Sequence, residues 1–156
     1  MPVDVQLAVT AEDLPTVTAI QDWAEGVIEA LDAGECEQDV CIRVVDASES
    51  RELNRTWRNK DRPTNVLSFP ADIELPEANR RILGDIVVCA PVVREEARQQ
   101  GKTMIAHFAH MVVHGMLHLY GYDHEQSSDA DVMEQLEREI LGRFSVGDPY
   151  RETETA

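Results

Sequence analysis

The chain has 156 residues, 43% of them apolar and 28% charged, which suits one globular domain with a sizeable core and excludes both a disulfide-stapled peptide and a multidomain machine. Only 14 Lys and Arg stand against 30 Asp and Glu, for a net charge of -16. The molecule as a whole repels phosphate backbones, so any nucleic-acid contact has to be local.

Val3 to Val9 alternates apolar and polar residues as a half-exposed strand does. From Pro15 to Leu31 the apolar residues Val17, Ile20, Ala24, Val27, Ile28 and Leu31 recur at spacings of three and four, the pattern of an amphipathic helix. Val40 to Val45 reads as a strand. Ser48 can cap a short helix ending near Arg58, on which Leu53 and Trp57 lie one turn apart and are expected to face the core. Asn59 to Pro63 breaks that helix. Val66 to Phe69 suits a short edge strand ending at Pro70, followed by a polar loop around Pro76. A further strand is expected at Leu83 to Cys89, and a helix over Pro91 to Gln100 closed by Gly101. Thr103 to Tyr120 is apolar nearly all round, the mark of a central buried helix. A last helix from Asp129 to Leu141, capped by Ser127 or Ser128, carries Val132, Met133, Leu136, Ile140 and Leu141; its acidic run Glu134 to Glu139 reads as solvated surface.

No repeat, linker or low-complexity block interrupts the chain. The expected fold class is α+β: a small mixed four-stranded sheet packed with about five helices. One domain is expected over residues 1–146, with a disordered tail at 147–156. Cys36, Cys41 and Cys89 form no CxxC pair and are expected to be reduced, buried thiols. The start, Met1-Pro-Val-Asp, has no basic and apolar leader pattern, and four histidines interrupt the most apolar stretch, so a cytoplasmic, membrane-free protein is expected.

All five histidines fall between His107 and His124. His114 and His118, four apart on a helix, project from one face and can chelate a single ion. His124 can supply a third nitrogen if the chain turns back beyond Tyr120, and Gly121 stands where a left-handed conformation is needed for that turn. The stretch His114 to His124 reproduces the H-E-x-x-H-x-x-G-x-x-H spacing of metzincin zinc sites at every position but one. Gly115 replaces the catalytic glutamate, so a zincin-like site is expected without the usual base for peptide hydrolysis. Three imidazoles leave a fourth position open for water or substrate, and they favour one zinc ion, with nickel or another divalent ion able to replace it. His110 and His107 lie one and two turns before His114 and read either as supports for the ligands or as partners of nearby carboxylates. Asp123 either orients an imidazole or sits in a solvated turn.

Arg51, Arg55, Arg58, Lys60 and Arg62 fall within 12 positions that hold only two acids, Glu52 and Asp61. This is a candidate phosphate-binding strip, since the planar guanidinium grips two phosphate oxygens and stays charged. For Arg51 and Arg55 the competing reading is a solvated face paired with local carboxylates.

These residues, with Arg58-Asn-Lys-Asp-Arg-Pro-Thr-Asn-Val-Leu-Ser-Phe-Pro70, Leu83-Gly-Asp-Ile86 and His110 to His124, resemble the bacterial YbeY endoribonuclease family over most of the chain. The resemblance implies a zinc-dependent, single-strand-specific endoribonuclease active in ribosomal RNA maturation, notably at the small-subunit RNA 3′ end, and in ribosome quality control. It implies zinc ligation by His114, His118 and His124 and a part in activity for Arg58, with Arg55, Lys60 and Arg62 left as candidate substrate contacts. The family's second block usually carries aspartate where this chain has Asn65, which removes a carboxylate. Single-stranded and ribosomal RNA are the expected partners, with no DNA; the acidity of the molecule suggests that a small-subunit ribosomal protein or an assembly GTPase supplies binding energy. Two rivals share the ligand spacing: a metallopeptidase-like hydrolase, which must replace the base missing at Gly115, and a non-catalytic assembly factor stapled by zinc.

Overall fold

A computed structural model describes residues 3–31, 37–122 and 127–150. The strand β1 (Val3–Leu7), the helix α1 (Val17–Leu31) and the strand β2 (Glu37–Val45) form a parallel crossover unit. The helix α2 (Ala47–Arg58) leads into a long hairpin of β3 (Val66–Leu75) and β4 (Arg80–Cys89). Three helices follow: α3 (Ala90–Gln100), α4 (Met104–Leu119) and α5 (Ser127–Arg143). The sheet order is β1-β2-β4-β3, with β1, β2 and β4 parallel and β3 antiparallel at one edge. The fold is α+β, with a four-stranded mixed sheet and five helices.

Strand alternation divides the core between the two faces of the sheet. On one face Val40, Ile42, Val44, Ile86 and Val88 pack with Ile20, Ala24 and Val27 of α1 and with Phe108, Val112 and Met116 of α4. On the other, Val45, Leu67, Val87 and Cys89 form a smaller cluster with Leu53 and Val92. α4 begins at Thr103, whose hydroxyl accepts from the Ala106 N–H at 3.0 Å, and is buried along most of its length. Its all-round apolar character follows from its place between the sheet, α1, α3 and α5.

Several boundaries differ from expectation; β2, for one, begins at Glu37 rather than Val40. β3 does not stop at Phe69 but continues through Pro70 to Leu75, with a register shift between Pro70 and Ile73 and a positive φ of 48° at Asp72. An edge strand tolerates the missing proline N–H where the ladder needs none, and the irregularity absorbs it. β4 therefore starts at Arg80 rather than Leu83, and a 3-10 turn, Pro76–Ala78, occupies the expected loop. α2 is capped by Asp46, whose carboxylate accepts from the Glu49 N–H at 2.8 Å, and not by Ser48.

Trp57 corrects a further expectation: it is 67% exposed and stands edge-on to Phe69, at a centroid distance of 6.3 Å. The buried face of α2 is polar. Ser50 donates to the Thr64 carbonyl and Asn54 to that of Arg62, so this face anchors the loop after the helix and Trp57 is turned outward. Beyond α5, Lys102 donates to the Pro149 carbonyl at 2.6 Å and Arg138 pairs with Asp148 at 3.1 Å. Cys41 and Cys89 are free thiols, each pushed up in pKa by burial first; Cys36 lies outside the described residues.

Candidate metal centre

The helical repeat of α4 stacks His107, His110, His114 and His118 along one side. The ring centroids of His114 and His118 are 4.5 Å apart and their Nε2 atoms face each other at 3.0 Å. Two imidazole nitrogens bound to one tetrahedral ion at about 2.0–2.1 Å stand about 3.3 Å apart, so this pair fits a shared cation with a small spreading of the rings. His114 is partly open to solvent, with 16% of its side chain exposed. Gly121, two residues past the helix, has φ 93°, the left-handed turn that carries the chain away from the helix axis. His124 and Asp123 lie outside the described residues.

Behind His114 sits a carboxylate that the sequence reading assigned to solvated surface. Glu137 of α5 is fully buried. It accepts from His114 Nδ1 at 3.2 Å, from His110 Nε2, and from the Tyr150 hydroxyl at 3.0 Å. His110, His114 and Glu137 each bring a ligand atom within 4.8 Å of the others, a group able to hold a metal ion. Burial pushes the Glu137 carboxyl up, but the hydrogen bonds from His110 and His114 outweigh it and hold the group down at about 2. The signal for Glu137 was present in the sequence: with Met133, Ile140 and Leu141 it lies on the buried stripe of α5, a register at which a solvated residue does not belong.

Gly115, where a zinc peptidase carries its glutamate, lies against the sheet. A Cβ there meets Ile86 Cγ2 at 3.0 Å, Val66 Cγ2 at 3.2 Å and the Ser68 hydroxyl at 3.3 Å. A carboxylate side chain there would be crowded by the sheet, and the glycine supplies no base, which leaves a peptidase built on that base without support.

The basic strip divides. Arg58 donates from Nη2 to the Ser68 carbonyl at 3.3 Å, and the Ser68 hydroxyl donates to the Gly115 carbonyl at 3.1 Å. Ser68 thus links Arg58 to the residue next to His114. Arg51 makes a two-pronged pair with Asp61 at 2.7 and 3.1 Å, and Arg55 pairs with Glu52 at 2.6 Å. Lys60 and Arg62 are exposed on the loop beyond.

Asn65 has a defined place. Its amide nitrogen donates to both carboxylate oxygens of Glu96, at 3.1 and 3.3 Å, and Glu96 accepts from His107 Nε2 at 2.9 Å. His107 therefore pairs with a neighbouring carboxylate on α3, apart from the Glu137 group. Burial lowers its pKa, against the pull of Glu96. A hollow of about 560 Å³, lined by Trp57, Phe69, Leu53 and Arg43 among others, opens beside α2; no histidine lines it.

Residues 6–145 match the family described as endoribonuclease YbeY. Proteins named endoribonuclease YbeY are similar over nearly the whole chain. That of Stenotrophomonas maltophilia is 49% identical over 153 residues, 96% of this chain and 93% of its own length. That of Halorhodospira halophila is 50% identical over 146 residues, 92% and 93% of the two lengths. A solution structure of a Thermotoga maritima protein superposes with a TM-score of 0.60 at 26% identity, covering 96% of this chain and 99% of that one.

Proposed function

The chain belongs to the endoribonuclease YbeY family, and on that premise we propose that it is a zinc-dependent endoribonuclease that cuts single-stranded RNA during ribosomal RNA maturation. The small-subunit RNA 3′ end is its target, with a part in ribosome quality control. The observation that carries the reading is the meeting of His114 and His118 Nε2 at 3.0 Å on the partly open side of a buried helix. His124 is the proposed third ligand.

A cation held there supplies Lewis acidity, polarising a phosphate oxygen or lowering the pKa of water. The chain's own groups do the rest. Arg58, anchored through Ser68 to the residue beside His114, binds the phosphate and stabilises the charge that builds on it. Arg55, Lys60 and Arg62 guide the strand towards it, with Arg55 exchanging Glu52 for phosphate. The sheet closes the Gly115 position, so no carboxylate acts as base from that point of the helix. With a charge of -16, the protein gains further affinity from a small-subunit protein or an assembly GTPase in the cytoplasm.

The test is metal analysis of the purified protein joined to cleavage of a defined single-stranded RNA before and after chelation. One zinc per chain, with cleavage lost on chelation and recovered on adding zinc, is expected. Cleavage that survives complete metal removal defeats the proposal. The product ends identify the nucleophile: a 2′,3′-cyclic phosphate marks attack by the RNA 2′-hydroxyl.

A further inference from the structure

We propose that Glu137 is a positioning residue for the cation site: its buried carboxylate accepts the Nδ1–H of His114, so that the Nε2 lone pair faces His118. The inference rests on the reading of His114 and His118 as ligands. A neutral imidazole carries one proton, and the group bonded to one ring nitrogen decides which nitrogen can bind a metal. A carboxylate is an acceptor only, so its contact with Nδ1 at 3.2 Å requires the proton there. The other nitrogen is the one at 3.0 Å from His118 Nε2.

The carboxylate is itself held on several sides. His110 Nε2 and the Tyr150 hydroxyl both donate to Oε2, leaving Oε1 to His114. Tyr150 stands edge-on to His110 at 5.4 Å, and the Arg138 guanidinium lies 5.3 Å above the Tyr150 ring. A buried carboxylate fixed by three donors, two of them outside the proposed ligand set, is arranged to orient an imidazole. Each of its oxygens already has a hydrogen-bond donor, unlike an oxygen offered directly to a cation.

The test uses the full chain with nitrogen-labelled histidine. Long-range nitrogen–proton correlation spectra of metal-free protein at about pH 8.5, where an ordinary histidine is neutral, report the tautomer of His114. Zinc competition against a chromophoric chelator reports affinity and stoichiometry. In the parent, His114 is expected as the Nδ1–H tautomer, with one zinc per chain. Glu137→Met, similar in length but without an acceptor, is expected to lose the tautomer preference and to weaken zinc binding about 10–100-fold. Glu137→Gln, whose carbonyl can still accept, is expected to retain the preference and most of the affinity.

An Nε2–H tautomer in the parent overturns the proposal even if both variants fail to fold. So does a folded Glu137→Met that binds zinc as tightly as the parent, or a second zinc per chain that disappears with Glu137→Met. Should the parent bind no zinc while its His114 is the Nδ1–H tautomer, the orienting contact stands and the cation reading falls, which separates the two failures.

Discussion

At the scale of single residues, the contacts of Arg58 and Asn65 lead to opposite kinds of prediction. Arg58 is exposed, and its one described hydrogen bond is to a strand-edge carbonyl, so its loss leaves the fold intact. Arg58→Ala is expected to cut cleavage of single-stranded RNA about 100-fold, the usual effect of removing one charge-stabilising donor, with the melting temperature unchanged. Parallel rate and melting measurements at matched salt check this. Asn65 acts on stability. Its amide bridges to Glu96, which also holds His107; an aspartate there sets carboxylate against carboxylate. Asn65→Asp is expected to cost about 1 kcal/mol at neutral pH, and less as the pH falls through the carboxylate range and one of the two groups takes a proton. Urea unfolding at two pH values checks the sign.

At the scale of elements, α4 carries the row of histidines and much of the core at once. At Gly115 it lies against the sheet, where even a methyl group crowds Ile86, Val66 and Ser68. Gly115→Ala is expected to destabilise the protein by about 1–3 kcal/mol, the usual cost of overpacking, as read from the denaturation midpoint. His107, near the start of the same helix, makes stability depend on pH. Burial lowers its folded pKa below the ordinary value of 6.5, so the unfolded chain takes up the proton first. Stability from this group is therefore full above that value and falls as the pH drops below it. Replacing His107 with Gln is expected to flatten that part of the stability curve, measured by urea unfolding from neutral pH downwards. The α2 helix shows how an element can mislead: Leu53 and Trp57 have helical spacing, and Leu53 packs on the core, yet Trp57 turns outward and Ser50 and Asn54 form the buried polar face because the following loop supplies carbonyls for them.

At the scale of the whole molecule, the charge of -16 opposes any broad contact with a phosphate backbone. Arg51 and Arg55 are engaged by Asp61 and Glu52, which leaves few cations for phosphate. Binding of single-stranded RNA is expected to show a shallow salt dependence, with a log–log slope of about -3 for four phosphates neutralised by Arg55, Arg58, Lys60 and Arg62, and Arg58→Ala should reduce it by about 0.7. Titrations at several salt concentrations check both values; a slope steeper than about -4 means that a broader surface takes part. No helix among the described residues is long and apolar enough to cross a membrane.

Reading the residues alone was enough for the α+β class, the strand and helix order, the buried character of α4 and the convergence of His114 with His118. These depend on periodicity: residues four apart on a helix meet whatever packs around them. What lies behind His114 was settled by packing. Glu137 reaches His114 across 23 residues of sequence and Asn65 reaches Glu96 across 31, and such pairs meet only when α5 and α3 close on the sheet and α4. The exposure of Trp57, the continuation of β3 past Pro70 and the crowding at Gly115 have the same origin, because each depends on which surface of a neighbouring element arrives there, and local propensity does not encode that.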